Sequence, residues 1–137
     1  MPRLFKLYQE YEEATGGGDA NITFGLEEAT DRTFTNWKAS IMGPQSTSLN
    51  GRLIELQIYC DENYPVAPPK VNFVHKVYLP SVDRETGVVD QLPGRCKNWN
   101  PNTMGIKDVL IALRIEMEEN GREAQPPEGK KYDDPDQ

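Results

Sequence analysis

The stretch that most limits what this chain can fold into is Tyr78–Pro101. It is too long and too polar for a strand, and Pro80, Pro93 and Pro101 with Gly87 and Gly94 break any helix through it. Loops of this length inside a compact domain are uncommon and are usually either functional or disordered. Val82, Val88, Val89, Leu92 and Trp99 give this one enough apolar side chain to pack onto a body. The sequence therefore predicts an ordered functional loop.

The flanking segments predict an α+β body. Residues 3–14 read as a helix, with Pro2 suited to its first turn and Gly16-Gly17-Gly18 as a flexible stop. Leu4, Leu7, Tyr8 and Tyr11 make one apolar stripe along it. Phe5 lies about 110° from the centre of that stripe, on the side of Gln9 and Glu12. It either packs under a neighbouring loop or faces a partner, since aromatics are enriched at interface anchors. Four strand-like runs follow, 22–26, 35–42, 52–60 and 71–74, and their short polar connections imply an antiparallel meander. In the third run Ile54, Leu56, Ile58 and Cys60 form the core face. Leu53 is left among Glu55, Gln57 and Tyr59. Three prolines within Tyr64–Pro69 fix a rigid corner. After the loop, residues 105–120 read as a second helix with Ile106, Val109, Leu110, Leu113 and Met117 inward, capped by Asn102 or Thr103 and ended by Gly121. The whole, 1–137, reads as one domain, with 122–137 an extended tail that frays past Tyr132.

Fifteen basic residues against 22 acidic give a net charge of −7. That argues against nucleic acid and anionic membrane, which want a basic surface. No apolar run is long enough for a membrane span, and two cysteines make no disulfide framework, so a reduced intracellular protein is expected. Its single His75 has no partner in view for base catalysis, and one histidine with two distant cysteines does not make a metal site. Asp83, Glu85 and Asp90 read as solvated loop charges. Cys96 stands between Arg95 and Lys97, and flanking cations activate a thiol, so it is a candidate nucleophile beside the alternative of an inert thiol.

The order of helix, four-strand meander, Tyr64-Pro65 with Pro68-Pro69-Lys70-Val71, Tyr78-x-Pro80, Trp99-x-Pro101 and helix resembles the ubiquitin-conjugating enzymes. The resemblance implies that fold, and a cis bond at Pro68-Pro69. Catalytic members carry His-Pro-Asn and then Gly-x-Ile-Cys. Here the first is Leu79-Pro80-Ser81 and the second is Gly87-Val88-Val89-Asp90, with one extra residue between them. A carboxylate cannot be trans-thiolated as a cysteine can, and Ser81 is a shorter donor than an amide. The segment Ala124–Gly129 stands where the family's enzymes continue with two more helices. That segment, the opening Pro2–Leu7 and Phe24-Gly25-Leu26-Glu27 are similar to the ubiquitin-conjugating-enzyme variants, cysteine-less relatives that pair with an active conjugating enzyme.

This resemblance implies a non-catalytic subunit without a cofactor or metal. It orients an acceptor ubiquitin for chains linked through lysine sixty-three. The N-terminal segment, Pro2 and Arg3, docks with the first helix on the active partner. Phe5 is the anchor, with Gln9 and Glu12 beside it. Thr23, Ser40 and Leu53 meet the acceptor ubiquitin. The expected setting is cytoplasm and nucleus, in DNA-damage tolerance or signalling. A plain ubiquitin- or peptide-sorting module, or a divergent enzyme using Cys96, are the rival readings.

Overall fold

The computed structural model describes residues 2–15 and 21–133. The triple glycine at 16–18 and the end of the tail at 134–137 lie outside them. Strands β1 (Ile22–Leu26), β2 (Asn36–Met42), β3 (Leu53–Tyr59) and β4 (Lys70–Phe73) form one antiparallel sheet in that order, the expected meander. Strand β3 sets the phase. Ile54, Leu56 and Ile58 point inward and their alternates outward. Register passes the phase to β2: Ile54 faces Ile41, Leu56 faces Ala39, and Ile58 faces Trp37. A slip of one residue would turn that whole row to solvent. Helix α2 (Ile106–Asn120) adds Ile106, Val109, Leu110, Leu113 and Met117 to the same apolar cluster, as its periodicity predicts.

Helix α1 (Arg3–Thr15) differs from expectation. Leu7 is buried and Tyr11 partly so, but Leu4 and Tyr8, assigned to the core stripe, are 52% and 49% exposed. Polar anchors roll the helix. The Glu10 carboxylate is drawn inside, where it accepts from the Tyr64 hydroxyl and from Ile106 N, each at 2.5 Å. Arg3 donates to the carbonyls of Thr33, Cys60 and Asp61. A buried carboxylate needs its partners more than a leucine needs cover, because an unpaired one is far costlier.

The same carboxylate corrects the start of α2. Neither Asn102 nor Thr103 caps it. Both sit in a turn closed on Asn100. Gly105 N instead donates to Asp108 Oδ2 at 2.9 Å, and Glu10 takes the next amide. A Cβ at Gly105 would crowd the Glu10 carboxylate against the amide it accepts from.

In the proline corner the cis bond precedes Pro65, and Pro68-Pro69 is trans. The buried Tyr64 side chain and the bond from Trp99 Nε1 to Pro65 O, 2.7 Å, fix the chain at that point rather than four residues later. Residues 122–133 contain no helix, yet they are tied down. The Gln125 amide brackets Tyr78, accepting from its N–H at 2.8 Å and donating to its carbonyl at 3.1 Å. Tyr132 N donates to Val74 O, and Lys76 N to Lys130 O. Gly87, at φ +83°, lies flat against the Tyr132 ring.

Candidate functional site

The long loop is ordered as predicted, and its first half is a hairpin. Val82 bridges Val89, Asp90 N donates to Ser81 O at 2.9 Å, and Val89 N reaches Val71 O on β4. Asp83 closes its turn by accepting from the amides of Glu85 and Thr86. Leu79 is buried and Pro80 exposed, so the hairpin enters over an apolar peg. Ser81 and Asp90, adjacent at its base, reach a groove of about 420 Å³ that Leu92, Lys97 and Glu116 also line. Asp90 is exposed at the rim.

Sequence reasoning missed Glu116, which sits among the core residues of α2 and is only 6% exposed. Its Oε1 accepts from the Ser81 hydroxyl at 2.6 Å and its Oε2 from Ser81 N at 3.1 Å. Burial pushes its pKa up, and the two Ser81 bonds pull against that rise. A serine hydroxyl has one proton to give. Here that proton is given to the Glu116 carboxylate, so no side-chain donor at Ser81 is left for a developing oxyanion. The available signal was weak: one glutamate at a stripe position of an otherwise apolar helix face.

Two exposed faces lie outside the groove. Pro2, just before α1, and Leu4, Phe5, Tyr8, Gln9 and Glu12 on it are all solvent-facing, with Phe5 56% exposed and not tucked under a loop. Arg3, expected with them, is partly buried: its guanidinium donates to the carbonyls already named and steadies the helix. Leu4 and Tyr8 join this apolar band unpredicted, because periodicity had assigned them to the core. On the outer face of the sheet Thr23 pairs with Ser40, and Ser40 with Glu55. Leu53 lies one row along, opposite Met42 and 57% exposed. The structure thus brings Thr23, Ser40 and Leu53 onto one surface.

A family model described as ubiquitin-conjugating enzyme matches residues 6–134. The chain belongs to the ubiquitin-conjugating enzyme family. It is 39% identical to ubiquitin-conjugating enzyme spm2 of Schizosaccharomyces pombe, over 96% of this chain and 97% of that protein. It is 37% identical to ubiquitin-conjugating enzyme E2 variant 1D of Arabidopsis thaliana, over 94% and 90%. The solved structure of human ubiquitin-conjugating enzyme E2 G1 superposes with a TM-score of 0.73 at 21% identity, covering 83% of this chain and 93% of that one, which supports the fold.

Cys96, the candidate nucleophile, is only 1% exposed, inside a 3-10 helix at Gly94–Asn98. Burial first, and Asp108 second, push its pKa up, with Arg95 opposing. The flanking cations do not activate it. Arg95 and Lys97 face solvent, and the Arg95 guanidinium is 3.8 Å from Asp108. Cys60 is fully buried, and burial raises its pKa as well. His75 accepts from Glu55 N through Nδ1 at 3.0 Å, a structural tie between the sheet and the segment after β4.

Proposed function

We propose that the chain is the non-catalytic half of a heterodimeric ubiquitin-conjugating complex that builds chains through lysine sixty-three of ubiquitin. One observation carries this reading. Both thiols of the chain are buried, and the position that resemblance aligns with the family's ubiquitin-carrying cysteine holds the exposed carboxylate of Asp90. The bond from the Ser81 hydroxyl to Glu116 supports it, because the residue aligned with the family's oxyanion-steadying asparagine then offers no free side-chain donor. The variant-named relative supports it also.

In this reading the active partner carries donor ubiquitin and docks on the Leu4–Phe5–Tyr8 band, with Pro2, Gln9 and Glu12 around it. Acceptor ubiquitin rests on the Thr23–Ser40–Leu53 face. Only one lysine amine then reaches the thioester. Holding two reactants in place of a random encounter is worth about 7–11 kcal/mol in well-oriented cases, so acceptor binding can be weak and still effective.

The test is a reconstituted reaction with activating enzyme, ubiquitin, ATP and an active conjugating enzyme specific for lysine sixty-three, with and without this chain, read by linkage mapping and by non-reducing gel. Chains should depend on this protein, while the protein itself carries no thiol-sensitive ubiquitin. A reductant-labile adduct on this chain alone, lost in Cys96→Ser, would make it an enzyme.

A further inference from the structure

The connection between β1 and β2 contains the one non-glycine residue of the described chain with a positive φ, Phe34 at 52°. An aromatic side chain seldom adopts that conformation. Four bonds to one carboxylate surround it. Asp31 Oδ1 accepts from Thr33 N and the Thr33 hydroxyl, at 2.9 and 2.8 Å, and Oδ2 from Thr35 N and Asn36 N, at 3.0 and 3.2 Å. Trp37 Nε1 donates to the Phe34 carbonyl at 2.9 Å. A loop that needed only to join two strands would not require an aromatic ring in this geometry.

The ring's neighbours give the reason. It meets Tyr8 edge-on, with centroids 6.2 Å apart and planes at 75°. It also meets Tyr11, 5.7 Å away at 50°. The same loop accepts from Arg3 at Thr33 O and Thr35 Oγ1. Helix α1 is therefore held on its core side by Leu7 and Glu10, and along its flank by this loop. Tyr8 is half-exposed, so its outer edge belongs to the apolar band and its inner edge to Phe34.

We propose that Phe34, fixed in its left-handed conformation by Asp31, is a positioning residue for partner docking: it sets the orientation of Tyr8 and thereby the shape of the Leu4–Phe5–Tyr8 surface offered to the active conjugating enzyme. This rests on the docking reading above and deepens it. Phe34 acts through Tyr8, without contact of its own with the partner.

The experiment titrates this chain into the reconstituted reaction at a fixed amount of the active enzyme. Phe34→Asn keeps a residue that tolerates positive φ and removes the ring. Phe34→Tyr restores the ring. Asp31→Asn is the milder second variant, should Phe34→Asn fail to fold. Expected is a rise of about tenfold in the half-saturating concentration for Phe34→Asn, an unchanged plateau rate, and a return to within about twofold for Phe34→Tyr. The Tyr8 ring resonances of the free chain should shift in Phe34→Asn and recover in Phe34→Tyr. A folded Phe34→Asn, or a folded Asp31→Asn in its stead, with unchanged half-saturation overturns the proposal, as does a fall in plateau rate. Phe5→Ala run alongside separates the layers. If it weakens the pair and Phe34→Asn does not, only the positioning role falls. If neither matters, the docking face is elsewhere and both readings fall.

Discussion

Replacing Glu10 tests how much of the fold hangs on one buried charge. Its carboxylate serves the Tyr64 hydroxyl and Ile106 N at 2.5 Å each and is only 7% exposed. In Glu10→Ala both donors lose their acceptor inside the protein, at about 1–3 kcal/mol apiece. Relief of the carboxylate's own desolvation offsets part of that loss. The net expectation is about 3 kcal/mol. At about 2.1 cal/mol/K per residue, 137 residues unfold with roughly 0.3 kcal/mol/K, so Tm should fall by about 10 °C. Urea unfolding at pH 7 measures the free energy directly.

Glu10→Gln supplies the sign. Burial raises the Glu10 pKa above its ordinary 4.5, and the Tyr64 and Ile106 bonds oppose the rise. The folded state then holds a proton that the unfolded state releases. This contribution is fully present below pH 4.5 and is lost as pH climbs through the folded pKa. Glu116 shifts the same way and adds a parallel slope. Subtracting the Glu10→Gln curve from the native one cancels Glu116 and leaves Glu10 alone. The native protein's advantage over Glu10→Gln should shrink as pH rises from 4.5 towards 7. A difference flat in pH, or a Glu10→Ala cost under about 1 kcal/mol, would refute the account of α1.

Phe5→Ala should weaken the heterodimer by about 2 kcal/mol or more by titration calorimetry while leaving Tm unmoved, since the ring is mostly solvent-facing; unchanged affinity removes it as anchor. Leu53→Ala should slow chain building without weakening the pair, and a normal rate of free-chain synthesis would mean that the acceptor face is misplaced. Gly87→Ala should destabilise by about 2–4 kcal/mol, because its Cβ would meet the Tyr132 ring at 2.6 Å and Phe73 O at 2.8 Å at φ +83°. Proteolysis should then cut the loosened tail, and an intact tail at native stability would deny that packing. Asp90→Cys places a thiol at the groove rim yet should charge with ubiquitin at least about 100-fold more slowly than an ordinary family enzyme, given the missing oxyanion donor. A single-turnover non-reducing gel decides this, and rapid charging would show that Ser81 and Glu116 do not matter.

What the sequence made legible was local and periodic. The phase of β3 follows from alternate residues, so spacing alone places Leu53 outward. The stripe of α2 follows from i, i+3, i+4 spacing in the same way. The roll of α1 was not legible, because the groups that set it are distant in the chain. Ile106 is 96 residues from Glu10, and Cys60 is 57 from Arg3. Spacing rules treat both side chains as solvated charge. Cys96 misled for a related reason. Its sequence neighbours are cations, but one turn of 3-10 helix sends them outward and the sulfur inward, where the Asp108 carboxylate acts against the thiolate. The cap of α2 failed likewise, since the acceptor comes from another helix.

These misses share a direction, and the direction bears on function. Each polar group that the fold draws inward changes what remains outside. Glu10 and Arg3 turn α1 so that Leu4 and Tyr8, which the stripe would have made core, stand in solvent beside Phe5. Glu116 accepts from the Ser81 hydroxyl, and Ser81 is left with no free side-chain donor. A chain that only needed stability would bury those apolar side chains, at roughly 1.5–3 kcal/mol each when fully covered. Forgoing that gain is understandable if a second protein supplies the cover. Under the proposed function the turn that leaves the Leu4–Phe5–Tyr8 band in solvent and the one that occupies the Ser81 hydroxyl serve one end: two buried carboxylates favour holding a partner over reacting.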